Sequence, residues 1–235
     1  MIKITNKNWL VINGEAGKYK IKVGKDEEKG ILILINKGGE YQVMVELFGQ
    51  GARALILGII SGRGKDVIDL QTETRHMAGN THAETMIHGV NQDESMTEIR
   101  GMIRIDKKAD QVTDFLTEKI LLLSDKARVT AVPSLEIKAH EVRASHAATV
   151  TKLDEEQIYY LMSRGLSRQG AEELMVKGFL QTVVNKIDDV KIRNKVSSLL
   201  GNTKFPGAHA LPVTYATSSA PEICITSHKH YVRHQ

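Results

Sequence analysis

Residues 31–60 read ILILINKGGEYQVMVELFGQGARALILGII, and this stretch decides the fold. It contains three short apolar runs with many β-branched residues, and each run ends at a turn that contains glycine. The runs are Ile31–Ile35, Tyr41–Phe48 and Ala52–Ile60, and they end at Asn36–Gly39, Gly49–Gly51 and Ser61–Gly64. This pattern predicts short β-strands joined by tight turns. It continues through four more runs: Val67–Thr74, Glu84–Val90, Met96–Ile105 and Gln111–Leu116.

The spacing of these runs limits the fold to two all-β architectures. No helix-period stretch interrupts them, which disfavours an α/β fold with long crossover helices. A sandwich or barrel of hairpins and a parallel β-helix of stacked short strands both fit the pattern. The run Ala52–Ile60 is apolar on both faces, as expected of strands that are covered inside and outside. We therefore predict a parallel β-helix over residues 1–150.

The pattern changes after Val150 and predicts a small C-terminal helical domain over residues 151–201. Asp154, followed three residues later by Gln157, resembles a capping box, and Gly165 is placed to end this first helix. Ser167 can cap a second helix, and a third begins near Asp189. The whole chain is therefore predicted to be mainly β with a helical unit at its end.

Residues 202–235 contain three of the four prolines and four of the nine histidines, and we expect a flexible tail there. The tail holds the single cysteine, Cys224, so an internal disulfide is excluded and a reducing compartment is indicated. Because the N-terminus also lacks the apolar stretch of a signal peptide, a cytoplasmic location is expected. Cys224, His228, His230 and His234 could bind a metal ion, or they could be fortuitous neighbours in a flexible segment.

Composition argues against several classes of partner. The formal net charge of +4 is too small and too evenly spread to indicate nucleic acid binding. The longest apolar run, residues 54–60, is far too short to span a membrane. The segment Gly62–Asp66 resembles a phosphate-binding loop but lacks its first glycine and its hydroxyl residue, so a plain turn is expected. Any nucleotide chemistry would then belong to a partner.

Other polar residues allow a functional and a plain structural interpretation. Asp66, Asp69 and Glu73 could form the acid cluster of a carbohydrate-cleaving β-helix enzyme, although exposed acids are usually just solvated. If residues 135–150 were one extended strand, His140 and His146 would lie on one face about 20 Å apart, too far to share a metal ion. His76, His82 and His88 are spaced six residues apart, and each is more simply explained as a hydrogen-bonded or exposed histidine.

A longer pattern lies between residues 121 and 179. It consists of LLLSDKA at 121–127, PSLEI at 133–137, EVRASHAAT at 141–149, LDEEQ at 153–157 and YLMSRG at 160–165, with HMAGNT at 76–81 and Arg100-Gly101 upstream. This pattern resembles that of the SufB/SufD family, which comprises scaffold proteins of the SUF iron–sulfur cluster assembly system. It implies a right-handed parallel β-helix followed by helices that bind SufC, an ABC-type ATPase. It also implies that two core subunits pair through their β-helices and that clusters assemble near this junction.

The resemblance also implies site residues. His146 matches a histidine associated with cluster assembly, and neutral imidazole is a competent iron ligand. Glu141 and His140 are secondary candidates because they lie beside His146 on the same predicted strand. Ala144 stands where many relatives have cysteine, so one chain cannot supply a full thiolate site for an iron–sulfur cluster.

This shortage of thiolates leaves three possibilities: a SufD-like half that needs a SufB-like partner, a homodimer that holds clusters weakly, and a diverged scaffold without cluster function. In each case the chain is expected to be a non-catalytic scaffold. SufC would bind the helices through Met175, Phe179 and Val183, which recur every fourth residue. ATP-driven closure of a SufC dimer would then strain the β-helix junction. The alternative function is a stand-alone parallel β-helix enzyme or carbohydrate-binding module.

Overall fold

The computed structural model describes residues 8–202 and 223–225, and the strands of this part form two β-sheets. The strands are β1 Trp9–Asn13, β2 Gly17–Val23, β3 Glu28–Ile35, β4 Gly39–Leu47, β5 Arg53–Gly62, β6 Val67–His76, β7 His82–Asn91, β8 Met96–Ile105, β9 Val112–Leu122, β10 Arg128–Ala131, β11 Ser134–Ile137, β12 Val142–Lys152 and β13 Ile223–Ile225. Sheet A has the order β1-β3-β5-β7-β9-β12-β13, and sheet B has the order β10-β8-β6-β4-β2, with β11 also paired to β8.

Successive strands alternate between the two sheets, so the chain coils as a parallel β-helix. Every pairing among β1–β12 is parallel, and the register stacks equivalent residues above one another. One such column runs through Ile31, Ile56, Thr85, Leu116 and His146. The predicted parallel β-helix is confirmed.

The seven predicted runs all became strands, and the run Met96–Ile105 matches β8 at both ends. Strands β1 and β2 were not predicted. In β2 the exposed residues Lys18, Lys20 and Lys22 alternate with more buried ones. Lysines on the outer side of a strand at the edge of a sheet discourage pairing with other chains, and they mask the apolar pattern of the strand.

The space between the two sheets is filled by apolar side chains contributed from both of them. Residues from the first five strands dominate this core, including Ile31, Ile33, Val45, Leu47 and Ile56, all at most 2% exposed. Because β-branched side chains pack well on a pleated surface, this sequence favours stacked strands. The apolar core between the sheets is thus concentrated at the N-terminal end of the coil.

Three helices follow: α1 Glu155–Ser163, α2 Arg168–Val184 and α3 Val190–Asn202. The predicted caps are confirmed. The Asp154 side chain accepts hydrogen bonds from the backbone N–H groups of Glu156 and Gln157, and Ser167 accepts one from Gly170. Gly165, which follows α1, has a φ of +95°, a conformation that favours glycine.

The helices form a layer on the outer face of sheet A. One buried apolar cluster joins residues of this face, such as Leu57 and Val90, to Val176, Leu180 and Val183 of α2. Trp9 Nε1 donates a hydrogen bond of 2.6 Å to Asp188 Oδ1 in the turn after α2. The helical unit therefore shares a core with the β-helix.

The predicted flexible tail, 202–235, lies outside the described residues except at Asn202 and 223–225. Ile223–Ile225 pairs antiparallel with residues 148–150 of β12. The tail histidines that could bind metal together with Cys224 also lie outside the described residues. Within the described part of the chain, none of the helices combines the length and the apolar character needed to cross a membrane.

Candidate functional site

The interior of the β-helix changes character from β6 onward. We call β1–β5 the apolar end and β6–β12 the polar end. Along the inward-facing columns, Ile56 is followed by Thr85, Val45 by Thr74, and Leu47 by His76. Since buried polar groups need partners, a polar interior requires either a hydrogen-bond network or a function.

Four buried side chains of the polar end form one hydrogen-bonded network: Thr74, His76, Thr81 and Asp114. The hydroxyl of Thr81 donates to the carbonyl oxygen of Ala78, so its oxygen accepts from His76 Nδ1 at 2.7 Å. His76 Nε2 lies 3.0 Å from Asp114 Oδ2, and Thr74 donates to the same oxygen at 2.5 Å. His76 and Asp114 are both 0% exposed, so this network ties sheet B to sheet A through the core.

Glu118 is the second buried acid of β9, and it lacks such a network. It is 0% exposed, and neither carboxyl oxygen has a hydrogen-bond partner among the described residues. A Cβ atom at Gly101 would lie 2.5 Å from Glu118 Oε1, so the missing side chain of Gly101 makes room for the carboxyl group. Burial raises the pKa of Glu118 to about 7. Near neutral pH this carboxyl group is therefore divided between its protonated and ionised forms.

His146 lies on β12, the last parallel strand of sheet A. It is half-buried, and it continues the inward-facing column of Thr85 and Leu116. Glu118 stands opposite Ala148, two residues further along β12, which places the Cα atoms of His146 and Glu118 about 8 Å apart. The predicted ligand and the buried acid thus lie on the same face of adjacent strands.

The two secondary candidates do not lie on the strand of His146, and this part of the prediction was wrong. Residues 134–137 form β11 in sheet B, and β12 begins only at Val142 in sheet A. His140 and Glu141 belong to the exposed turn between the sheets. There the backbone N–H of His140 donates to Asp110 Oδ1 at 3.2 Å, and the carbonyl oxygen of Glu141 accepts from Val112.

The described residues contain no group of three or more His, Cys, Asp or Glu side chains placed to hold a metal ion. His146 and Glu118 together offer one imidazole and one carboxyl group. A metal centre generally needs three or four converging ligands, so these two residues fit only part of such a site. The remaining ligands would have to come from elsewhere, such as a second subunit.

The three residues predicted to bind a partner lie on α2 and differ in exposure. Val183 is 0% exposed within the layer against sheet A, and Met175 and Phe179 are half-buried. The ring of Phe179 stacks on His88 with 4.5 Å between ring centroids. Val183 is a core residue here, so a docking surface on the helices must use other side chains. The exposed apolar residues of the helical unit are Tyr159, Tyr160, Met162, Leu174, Val190 and Leu199.

The three remaining acids, which were expected to be exposed and solvated, are instead partly buried and engaged within the chain. Asp66 accepts hydrogen bonds from the backbone of Gly38 and Arg63, as expected for a turn. Asp69 pairs with Arg100 at 2.5 Å. Glu73 pairs with Arg104 at 3.1 Å.

The three evenly spaced histidines do not converge. His76 belongs to the buried network, and His82 is half-buried at the start of β7. His88 is buried and stacks on Phe179 of α2.

Comparison with known proteins decides the family. The family model described as "SUF system FeS cluster assembly, SufBD core domain" matches residues 35–179. The chain belongs to the SufBD family. This match includes β4–β12, the whole polar end with His146, and it extends into α2 as far as Phe179. The resemblance found in the sequence is confirmed.

Individual relatives agree with the family. The chain is 32% identical to the iron–sulfur cluster assembly protein SufD of Bacillus subtilis over 154 residues, which cover 66% of this chain. It is 27% identical to SufD of Escherichia coli over 71% of this chain, and 30% identical to SufB of Bacillus subtilis over 60%. The aligned parts make up 35%, 39% and 30% of those relatives, so the chain spans between about a third and two fifths of their length.

Proposed function

We propose that this chain is a non-catalytic scaffold subunit for iron–sulfur cluster assembly, with the cluster as its cargo. The observation that carries the proposal is the position of His146, which faces inward from the last parallel strand of a SufBD core. Imidazole binds iron when neutral, and a site with few thiolates would release a cluster more readily than one with four.

Glu118 joins His146 as a candidate ligand in this proposal, in place of His140 and Glu141. Carboxylate and imidazole groups together form many iron sites in proteins. A buried carboxyl group without a hydrogen-bond partner is costly, and functional sites are where such groups are commonly retained. The negative charge of ionised Glu118 would attract an iron cation from bulk solvent into the site.

A second SufB- or SufD-type subunit completes the site. The edge of β12 pairs with β13 only at residues 148–150 within the described part of the chain. Among the described residues, 142–145 of this strand have no neighbouring strand on that side, and they would offer backbone groups for pairing with another chain. Ligands from that subunit would then lie beside His146. Either an identical or a sibling subunit fits this arrangement.

A SufC-type ABC ATPase is the proposed motor, and it would bind the helical unit. Tyr159 and Met162 are 76% and 41% exposed, and they lie three residues apart on one side of α1. Exposed aromatic and methionine side chains are typical of protein interfaces. Because α2 packs on sheet A, movement of the helices would be transmitted to the β-helix and its last strand.

Anaerobic reconstitution tests the cargo. The full chain is mixed with ferrous iron and sulfide, alone and together with a SufB-type subunit and a SufC-type ATPase, and cluster formation is followed by visible absorption. We expect a cluster in the complex and a large reduction with His146→Ala. An unchanged cluster yield with His146→Ala would remove this residue from the site.

Capture of the purified ATPase tests the docking surface. Tyr159→Asp and Met162→Asp should each weaken capture at least tenfold, because a charge in an interface core lacks a partner. Met96→Asp is the matched control, since Met96 is 51% exposed on the β-helix. Equal capture by all variants would contradict a docking surface on α1.

The competing function, a β-helix enzyme or carbohydrate-binding module, lacks comparable support. The three acids that could serve it are engaged in a turn or in ion pairs with Arg100 and Arg104. A protein of this kind would also act alone. Failure to bind either a second subunit or the ATPase would favour it.

A further inference from the structure

We propose that His88 is a proton-sensitive latch that holds α2 against sheet A, so that acidification loosens the helical unit from the β-helix. This latch lies far along the chain from His146 and is made by different elements. It rests on and extends the proposed function, in which the ATPase binds the helical unit and moves it relative to the β-helix. Its test needs only the isolated chain, so the latch and the proposed function can fail separately.

His88 makes two contacts with Phe179, one with its ring and one with its backbone. The two rings are stacked with 4.5 Å between centroids and 15° between planes. His88 Nδ1 also lies 2.9 Å from the backbone carbonyl oxygen of Phe179. Since a carbonyl oxygen only accepts hydrogen bonds, Nδ1 carries the proton and donates it. A single side chain on β7 thus binds both the ring and the backbone in the middle of α2.

The surroundings of His88 suit a neutral ring. His88 is 3% exposed, and its neighbours in register are the apolar Ile59 on β5 and the cationic Lys119 on β9. On its own strand, Glu84 is paired with Lys186 at the end of the helical layer, 2.8 Å away. On α2, the buried carboxyl group of Glu172 is paired with Arg168 at 2.9 Å. A proton on His88 would therefore add a second positive charge beside Lys119, while the nearby acids are already engaged.

Burial lowers the pKa of His88, the hydrogen bond to Phe179 partly opposes this, and Lys119 lowers the pKa further. A histidine whose pKa is lowered in the closed state favours opening as the pH falls. The latch is therefore fully closed above the ordinary pKa of about 6.5 and weakens as the pH falls below this value. Stacking on Phe179 is not lost by protonation alone, so the desolvated charge is what drives the opening.

Opening of this contact would affect the whole helical layer. The apolar cluster beneath α2 and α3 includes Val176, Leu180 and Val183, and these residues would lose their contacts with sheet A. The hydrogen bond between Trp9 and Asp188 holds the same layer at the edge strand β1 of sheet A. Local opening of such a unit costs less free energy than global unfolding and is visible in amide hydrogen exchange.

Hydrogen exchange of the full chain, read by mass spectrometry and corrected for the intrinsic pH dependence of exchange, tests the latch. Between pH 7.5 and 5.5 the open fraction of α2 should rise, by up to about tenfold, since the open state binds the proton with the ordinary pKa of about 6.5 and the closed state binds it less readily. Peptides from β4 should show no such change. His88→Phe keeps the stacked ring and His88→Asn keeps a donor, and both should abolish the pH dependence in α2.

His82→Asn is the matched control, because His82 lies six residues away on the same strand and is more exposed. It should leave the pH-dependent change intact. The latch is overturned if α2 of the unmodified chain shows no pH-dependent opening, or if the change persists in the folded His88 variants. It is equally overturned if His82→Asn removes the change. Measurement on the unmodified chain decides the matter even if one substitution prevents folding.

Discussion

The apolar end and the polar end of the β-helix have the same backbone architecture but differ in what fills them. Between β1 and β5 the inward-facing positions hold residues such as Ile31, Ile33 and Leu47. From β6 onward the same columns hold His76, Asp114, Glu118 and His146 alongside apolar residues. The repeated parallel pairing therefore does not require one particular interior.

This difference indicates that the apolar end and the polar end contribute differently to stability and to function. Apolar burial is the dominant favourable contribution to folding, and it is concentrated at the apolar end and beneath the helices. A paired buried polar group adds little net stability compared with an apolar one, but a buried polar group that lacks or loses its partner is costly, as at Glu118. The polar end is thus the region where substitutions should separate folding from cluster assembly.

Asp114→Ala should have the largest effect on stability. It leaves the buried groups of Thr74 and His76 without their shared acceptor, and we expect a loss of about 4 kcal/mol in the free energy of unfolding. Urea unfolding followed by circular dichroism measures this loss. A loss below about 1 kcal/mol would show that the network contributes little to the polar end.

Ile33→Ala tests the apolar end. Ile33 is 0% exposed, and removal of its buried methyl groups leaves a cavity, which should cost about 3 kcal/mol. The same urea experiment measures it, with the exposed Lys22→Ala as control. Cluster yield in the folded fraction should not change, because Ile33 lies well away from the last strand. A specific loss of cluster formation would contradict the proposed division.

Glu118→Gln should stabilise the chain in a pH-dependent way. Because the pKa of Glu118 is raised from 4.5 to about 7, the stability of the native chain is lost as the pH rises through this window. The substitution should therefore add about 3 kcal/mol at pH 8 and less than about 0.5 kcal/mol at pH 4.5. Urea unfolding at the two pH values gives the comparison. An equal effect at both would show that the carboxyl group is not desolvated in solution.

The fold could be predicted from the sequence because most of the strands are short and rich in β-branched residues, and those in residues 31–60 are followed by glycine-containing turns. The two buried acids were missed for a local reason. Asp114 and Glu118 share the alternation of Val112, Leu116 and Ile120, so they lie on the inward face. The predicted strand ended at Leu116 and so left out Glu118, whereas Asp114 lay within it but was not assigned to a face. Strict alternation over the full eleven residues of β9 would have placed both acids in the interior.

Other parts of the site depend on contacts that are remote in sequence. Residues 135–150 look like one continuous strand in the sequence, yet the chain changes from sheet B to sheet A between β11 and β12, which separates His140 from His146. The predicted apolar stripe of α2 is offset from the observed one: Met175 and Phe179 are half-buried, whereas the fully buried residues include Val176, Leu180 and Val183. Whether it faces its own sheet or a partner depends on packing, and Val183 turned out to face sheet A.

The role of His146 can be measured most directly by pulsed electron paramagnetic resonance of the reconstituted and reduced cluster, formed with the partner subunit and the ATPase. Our account predicts a strongly coupled nitrogen from an imidazole ligand, which disappears in His146→Ala while the free energy of unfolding changes by less than about 1 kcal/mol. A cluster that forms in normal yield with the same nitrogen coupling after this substitution would contradict it.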